Sequence, residues 1–326
     1  MDGTPFRFSE ISRGAKITII VGVIVLVTAL AGIAVALATR PSDPEQASQP
    51  SGASPTSAQP SSEQAYGAPV LLPPFANNSH DLRHPLALAV DAAGDVYVTD
   101  KDVNRDVKHR VAKLAAGSMA VTMLPFTGLG ATEGLAVDAA GTLYLSDNDN
   151  DRVLKLAAGS TTQTVLPFTG LRRPCGVAVD PSGAVYVVDQ LNNRVLKLAA
   201  GSATQAVLPF TGLNQPMGIT VDTPGNVYVA DFANNRVLKL APGSTTQTVL
   251  PFAGLKLPEG VAVDGTGAVY VTDNVNKRVL KLAAGSATQT TLPFTVYNPA
   301  RVAVDAAGAV YVSDPANRQV VKLPPK

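Results

Sequence analysis

Short apolar runs alternate with turn residues along most of the chain, and residues 218–255 show the pattern most clearly: GITVDTPGNVYVADFANNRVLKLAPGSTTQTVLPFAGL. Its apolar or alternating runs occupy residues 218–222, 226–231, 236–240 and 245–252. Gly, Pro, Asn and Ser residues between the runs are typical of turns, and no stretch has a helical period. The pattern predicts four short antiparallel strands joined as a meander.

The same unit recurs along the chain, as the Asp at the end of each first run shows. These residues are Asp91, Asp138, Asp180, Asp222, Asp264 and Asp305. The intervals are 47, 42, 42, 42 and 41 residues, the first being longer because residues 101–109 contain five extra residues. Four strands per repeat with a period in the low forties predict an all-β, six-bladed β-propeller. Each blade buries its faces against its neighbours, so the ring must close.

The sixth repeat ends after its third strand, at residues 321–324, and has no fourth strand of its own. A matching strand, PVLLPPF at residues 69–75, precedes the first repeat. We predict that this strand completes the sixth blade, because pairing the two chain ends satisfies the backbone hydrogen bonds of an otherwise free edge. The predicted propeller therefore spans residues 68–326.

The repeated phrase P-x-G-V-A-V-D-x-x-G-x-V-Y-V-x-D-x-x-N-x-R-V-x-K-L resembles the NHL repeat. The spacer T-Q-T-V-L-P-F-T-G-L is similar to that of the extracellular sensor propellers of mycobacterial receptor Ser/Thr protein kinases of the D type. This resemblance covers residues 68–326 and implies a sensor propeller outside the membrane. The chain contains no Gly-rich phosphate loop, H-R-D or D-F-G motif, so the resemblance does not extend to a kinase domain.

The N-terminal part has a different composition. Residues 1–16 are polar and include Arg7, Arg13 and Lys16, whereas residues 17–38 form a run of 22 residues without a charge. As a helix this run would be about 33 Å long, enough to cross a membrane. The preceding basic residues predict a cytoplasmic N-terminus and an extracytoplasmic propeller. A signal peptide cleaved after Ala38 is the alternative. The Pro/Ser/Ala-rich residues 39–67 are expected to be a disordered linker.

Composition excludes several kinds of site. The net charge of +1, without a basic patch, argues against nucleic-acid binding, although RNA binding, which some NHL propellers show, stays open as an alternative. Cys175 is the one cysteine, so an intrachain disulfide is excluded. The cysteine and the three histidines fit no metal-ligand spacing, and we expect neither a metal nor another cofactor.

Residues that recur in every blade are expected to build the blade. The first-strand Asp residues should accept backbone N–H groups in the following turns. A second set of Asp residues precedes an Arg at each third strand and should pair with it. Tyrosines of the second strands and phenylalanines of the fourth are expected to pack between blades.

The candidate binding residues are those that break the repeat near the expected channel mouth. The residue before the first-strand Gly varies from blade to blade, and in blade six the Gly itself is replaced by Arg301. Two aromatic residues of the propeller, Phe232 and Tyr297, also lie outside the repeat positions. The candidate ligand-binding set is Glu133, Cys175, Met217, Phe232, Glu259, Tyr297 and Arg301. Neutral variation of an exposed loop is the alternative. Substituting Gly for Arg301 is expected to preserve stability while weakening binding.

These observations predict a membrane-anchored extracytoplasmic sensor or binding propeller. Its ligand would be an extracellular molecule or cell-envelope component, with a separate signalling protein as a possible partner. A lactonase-like propeller hydrolase or lyase is the alternative. Glu133 and Glu259 lie in opposite blades, too far apart to pair without a large ligand or metal cluster, and Cys175 has no histidine near it in the repeat. No catalytic residue is therefore assigned.

Overall fold

The computed structural model describes residues 64–72, 82–102 and 108–326. The predicted cytoplasmic segment 1–16, the predicted membrane helix 17–38 and linker residues 39–63 lie outside these ranges. Within them, no helix is both long enough and apolar enough to cross a membrane. The described residues belong to one compact unit, Pro60–Lys326.

Five four-stranded antiparallel sheets follow one another along the chain, each in sequence order. Blade one contains β2 (Pro85–Val90), β3 (Val96–Asp102), β4 (Lys108–Leu114) and β5 (Val121–Met123). Blade two contains β6 (Thr132–Val137), β7 (Leu143–Asp147), β8 (Arg152–Leu156) and β9 (Thr164–Val165). Blade three contains β10 (Pro174–Val179), β11 (Val185–Asp189), β12 (Arg194–Leu198) and β13 (Gln205–Val207). Blade four contains β14 (Ile219–Val221), β15 (Val227–Asp231), β16 (Arg236–Leu240) and β17 (Gln247–Val249). Blade five contains β18 (Pro258–Val263), β19 (Val269–Asp273), β20 (Arg278–Leu282) and β21 (Gln289–Thr291).

The sixth blade combines the two ends of the described chain. Its strands are β22 (Val302–Val304), β23 (Val310–Asp314), β24 (Gln319–Leu323) and the N-terminal β1 (Val70–Leu71). The order in the sheet is β1-β24-β23-β22, and β1 pairs antiparallel with β24. β1 thus lies at the fourth-strand position that the sixth repeat lacks. Residues 73–75 of the expected closing strand lie outside the described ranges.

The propeller begins earlier than the sequence predicted. Tyr66 forms a bridge with Pro325, the Gly67 N–H donates to the Pro324 carbonyl at 2.8 Å, and the Lys326 N–H donates to the Ala65 carbonyl at 2.9 Å. These bonds extend the ladder between β1 and β24. The boundary predicted at residue 68 is therefore corrected to residue 64, because residues 65–67 pair with the C-terminal segment and Gln64 donates to the Gly308 carbonyl.

Packing between blades supplies the core. Six clusters of buried apolar residues each join one blade to the next, and the last joins Tyr311 of blade six to Leu88 and Val96 of blade one. The predicted packing of the repeat tyrosines between blades is confirmed, since each lies in one of these clusters. The chain is therefore a closed six-bladed β-propeller.

Four short 3-10 turns follow second strands, at Asn148–Asn150, Gln190–Asn192, Phe232–Asn234 and Pro315–Asn317.

The repeated aspartates stabilise the turns, as blade four shows. Asp222 accepts the Asn226 N–H at 2.7 Å and the Tyr228 hydroxyl at 2.9 Å. Buried Asp231 accepts Arg236 Nε at 2.7 Å, and its other oxygen accepts the Asn214 N–H at 2.8 Å. The predicted Asp–Arg pairing is confirmed within blades one to five. The second bond, to the loop arriving from the preceding blade, was not predicted.

Candidate ligand-binding site at the channel mouth

First strands line the channel, and in blades two to five each has a Gly where the next blade comes close. A Cβ at Gly176 would lie 2.5 Å from the Met217 carbonyl oxygen, and one at Gly260 would lie 2.9 Å from that of Ala300. No side chain fits at such distances. Blade six has Arg301 at the corresponding position, so this blade alone projects a long side chain from it.

The Arg301 side chain, only 8% exposed, joins carboxylates from two opposite blades. Its Nη2 lies 3.0 Å from Glu133 Oε2 of blade two, and its Nη1 lies 3.2 Å from Glu259 Oε2 of blade five. Arg301 Nε also donates to the Glu133 carbonyl at 3.1 Å. We call Glu133, Arg301 and Glu259 the mouth triad.

The mouth triad corrects two expectations. Glu133 and Glu259 do not require a ligand or metal to connect them, since Arg301 lies between them. Arg301 was also expected to present its guanidinium to a ligand and to be replaceable by Gly without loss of stability. Its N–H groups are instead bonded within the protein, and removing it would leave two largely buried carboxylates without a counter-ion.

Glu259 also accepts a hydrogen bond from an asparagine side chain. Asn274 Nδ2 donates to Glu259 Oε1 at 3.0 Å and to Asn298 Oδ1 at 2.8 Å. Burial raises the pKa of Glu259 to about 7; the Arg301 charge opposes this shift and the Glu133 charge adds to it. The folded state therefore favours the protonated carboxyl. The protonated Glu259 carboxyl therefore stabilises the folded state relative to the unfolded one. This stabilisation is complete below the ordinary pKa of 4.5 and is lost as pH rises through about 7.

Cys175 belongs to the core rather than to an accessible surface. It is 1% exposed and packs in the cluster between blades three and four. Asn148 Nδ2 lies 3.6 Å from its sulfur atom. Burial, and then the charge of Glu133, raise the pKa of the thiol to about 12. The thiol is thus protonated at neutral pH, and its inclusion among ligand-contacting residues is corrected, because a ligand at the mouth cannot reach it.

The remaining candidates, Met217, Phe232 and Tyr297, form no bond with the mouth triad in the described part of the chain. The Ala233 N–H donates to the Asn214 carbonyl, so the 3-10 turn that begins at Phe232 meets the loop between blades three and four. Phe232 and Met217 are half-buried. Tyr297 is 59% exposed, and Lys277 Nζ lies 3.7 Å from the centre of its ring. Among the described residues, none of the three candidate side chains forms a hydrogen bond or ion pair with the mouth triad.

Sequence reasoning missed Asn274, which donates to Glu259, Asn298, which accepts from Asn274, and Asn148, which contacts Cys175. A signal for two of them was present, because the residue after the second-strand Asp varies between blades: Asn148, Gln190, Phe232, Asn274 and Pro315. Asn274 and Asn148 were overlooked because asparagine is common in turns and needs no functional explanation there.

The mouth triad lies over the narrow part of the channel. A cavity of about 40 Å³ lies next to Arg301 among the first-strand glycines, and a wider one of about 180 Å³ is lined by the apolar part of the first strands, including Val90, Val137 and Val221. Within the described ranges, no group of three or more His, Cys, Asp or Glu side chains is placed to hold a metal ion.

The NHL repeat model matches residues 213–240 and 255–282, in blades four and five. These two segments are therefore NHL repeats. No curated protein is significantly similar to it in sequence.

Solved structures share the propeller's shape at low sequence identity. A streptogramin B lyase superposes with a TM-score of 0.60 at 15% identity, covering 79% of this chain and 98% of the lyase. A nidogen/laminin complex gives a TM-score of 0.60 at 20% identity, with 73% and 88% covered. A catalytically inactive variant of virginiamycin B lyase from Staphylococcus aureus, with quinupristin, gives 0.56 at 12% identity, with 76% and 97% covered. These identities establish a common fold and nothing about a common activity.

Proposed function

We propose that this NHL-repeat propeller is a binding module that recognises a ligand or partner at the mouth formed by the triad. The observation that carries the proposal is the meeting of Glu133, Arg301 and Glu259 from three blades, at positions where the chain departs from its repeat. Burying three charged groups costs desolvation energy that small apolar residues would avoid, so a stability advantage does not explain them well.

The contacts at the mouth also indicate the chemistry of the ligand. Since the Arg301 guanidinium is bonded within the triad, the groups left to face a ligand are carboxylate oxygens, 17–19% exposed at the side chains, and the open ring of Tyr297. Lys277 already lies over that ring, as expected for an aromatic face that attracts cations. A ligand with an amine or several N–H donors, such as an amine- or amide-bearing cell-envelope component, fits these groups.

The resemblance to receptor-kinase sensor propellers, together with the uncharged run at residues 17–38, supports a location on the outer side of a membrane. In this proposal residues 17–38 anchor the chain, residues 39–63 form the linker and the propeller contacts the outside. In this proposal a signal would pass from the propeller to a separate signalling protein.

A binding screen tests the proposal. Cell-wall fragments and amine-bearing metabolites would be titrated against the purified protein by calorimetry, and the best ligand then measured with Glu133→Gln and Tyr297→Ala. Both variants should weaken binding at least tenfold. Tyr297→Ala should change the melting temperature little, whereas Glu133→Gln should lower it, because it removes one ion-pair partner of Arg301. Lys239→Ala, a third-strand change away from the mouth, is the control. A ligand that binds equally to all three variants would place recognition elsewhere.

A lyase or hydrolase is the second candidate, favoured by one observation. Glu259, with a pKa of about 7, can exchange a proton near neutral pH, as a general acid or base does. Two of the structures that share the fold are lyases. Turnover of a cyclic ester or lactone that disappears in Glu259→Gln, or a divalent metal found at the mouth by elemental analysis, would favour this candidate over simple binding.

A further inference from the structure

The clefts between neighbouring blades repeat one set of polar groups. In each blade the first-strand Asp accepts a hydrogen bond from the second-strand Tyr hydroxyl. A third-strand Lys lies over the ring of the same Tyr. In blade five the set is Asp264, Tyr270 and Lys281. The Tyr270 hydroxyl donates to Asp264 at 2.7 Å, and Lys281 Nζ lies 5.4 Å from the centre of the Tyr270 ring.

The cleft between blades five and six is filled by the chain's own segment Gln64-Ala65-Tyr66. The Tyr66 hydroxyl lies 3.1 Å from that of Tyr270 and accepts a hydrogen bond from Lys281 at 3.1 Å. Gln64 accepts a second bond from Lys281 at 3.3 Å and donates to the Gly308 carbonyl in the blade-six turn at 3.5 Å. A Gln-x-Tyr segment thus bonds to both sides of the cleft.

The segment also covers the apolar part of this cleft. Lys281 is 8% exposed and Leu292 is 3% exposed, and Tyr66 packs against the cluster that contains Leu292. At the same repeat positions in blade three, Lys197 and Leu208 are only partly buried. The difference in exposure marks the surface that a Gln-x-Tyr segment takes up.

The cleft between blades three and four offers the same groups with no described residue filling it. Its cavity of about 550 Å³ is lined by Asp180, Tyr186 and Lys197 of blade three, by the blade-four turn with Gly225, and by Leu208. The Tyr186 hydroxyl donates to Asp180 at 2.8 Å, and Lys197 Nζ lies 4.9 Å from the centre of the Tyr186 ring. Gly225 holds the position in its turn that Gly308 holds in blade six.

We propose that the cleft between blades three and four binds an extended Gln-x-Tyr segment of another protein, in the way that the cleft between blades five and six holds residues 64–66. The tyrosine hydroxyl would accept from Lys197 beside Tyr186, its ring would lie on Leu208, and the glutamine would reach the turn at Gly225. Another protein is the source because this chain contains Gln-x-Tyr once, and the structure already uses it. This site is separate from the mouth triad.

A fluorescent peptide with the sequence PSSEQAYG, titrated into the full-length protein by anisotropy, tests the proposal. We expect saturable binding that falls at least fivefold in Lys197→Ala. Lys239→Ala, the same repeat position in blade four, should leave binding unchanged. A peptide with Phe in place of Tyr should bind about 2–10-fold more weakly, which corresponds to one net hydrogen bond. Tyr66→Ala is the positive control, since it frees the cleft beside Lys281 and should add a second binding event.

Three results would overturn the proposal. The peptide could bind Tyr66→Ala and not the wild-type protein, which would show that only the cleft between blades five and six accepts it. Lys197→Ala and Lys239→Ala could weaken binding equally, which would remove the assignment to one cleft. Sedimentation could instead show a dimer that depends on Lys197, which would make a second copy the occupant. Glu133→Gln separates this site from the channel mouth, because it should leave peptide binding unchanged.

Discussion

Replacing Arg301 by Met tests the electrostatic account of the mouth triad. The change keeps an unbranched side chain of similar length and removes the ion pairs at 3.0 and 3.2 Å together with the bond to the Glu133 carbonyl. Two carboxylates, each less than a fifth exposed, then lose their counter-ion. Removing one partner of such a network costs about 3–5 kcal/mol of unfolding free energy, and partial exposure at the mouth places our expectation near 3 kcal/mol at pH 8.

The pH dependence of this loss separates charge from packing. Glu259 already has a pKa raised to about 7, so it takes up a proton in the variant at mildly acidic pH and much of the repulsion disappears. Urea unfolding followed by circular dichroism should therefore show a smaller loss at pH 5 than at pH 8. The triple variant Glu133→Gln, Glu259→Gln, Arg301→Met should recover stability to within about 1 kcal/mol of the wild type.

An exposed arginine supplies the matched control for this experiment. Arg172→Met should change stability by less than about 0.5 kcal/mol. If Arg301→Met lowered stability equally at both pH values, with no recovery in the triple variant, the side chain would be acting through packing and the reasoning would be refuted.

The other predictions concern the pH response, the N-terminal segment and the aromatic positions. Glu259→Gln should unfold like the wild type near pH 4.5 and be more stable above pH 7, by up to about 3 kcal/mol, because the variant cannot ionise; a loss at both pH values would contradict the raised pKa. Tyr66→Ala should cost about 2 kcal/mol in urea unfolding, since it removes the contacts with Tyr270 and Lys281, and an unchanged midpoint would mean that the segment does not hold the cleft. Phe210→Ala should cost about 3 kcal/mol and Phe232→Ala less than 1, because only Phe210 packs against a core cluster; equal losses would contradict this assignment. On intact cells, a membrane-impermeant lysine reagent should label the propeller, whereas labelling only after lysis would place it inside.

The sequence alone was sufficient to predict a six-bladed propeller with NHL repeats. Each repeat places Asp222-type turn residues, Tyr228-type core residues and apolar runs at fixed spacing, and local rules of turn formation and alternation act within one blade. The offset between the unfinished sixth repeat and the early strand at residues 69–75 also marked the N-terminal strand as the one that β24 lacks.

The tertiary structure decided the contacts that join residues far apart in the chain. Nothing in the repeat pattern says that Arg301 of blade six reaches Glu133 and Glu259, because its reach depends on the width of the channel and on the close approach of the glycine-bearing strands. The pattern likewise could not assign Tyr66 to the cleft beside Lys281, since a tyrosine at the end of a polar linker has no periodicity to place it. Local periodicity determines blades, whereas the ring brings together side chains whose spacing in sequence has no regular relation to their distance in space.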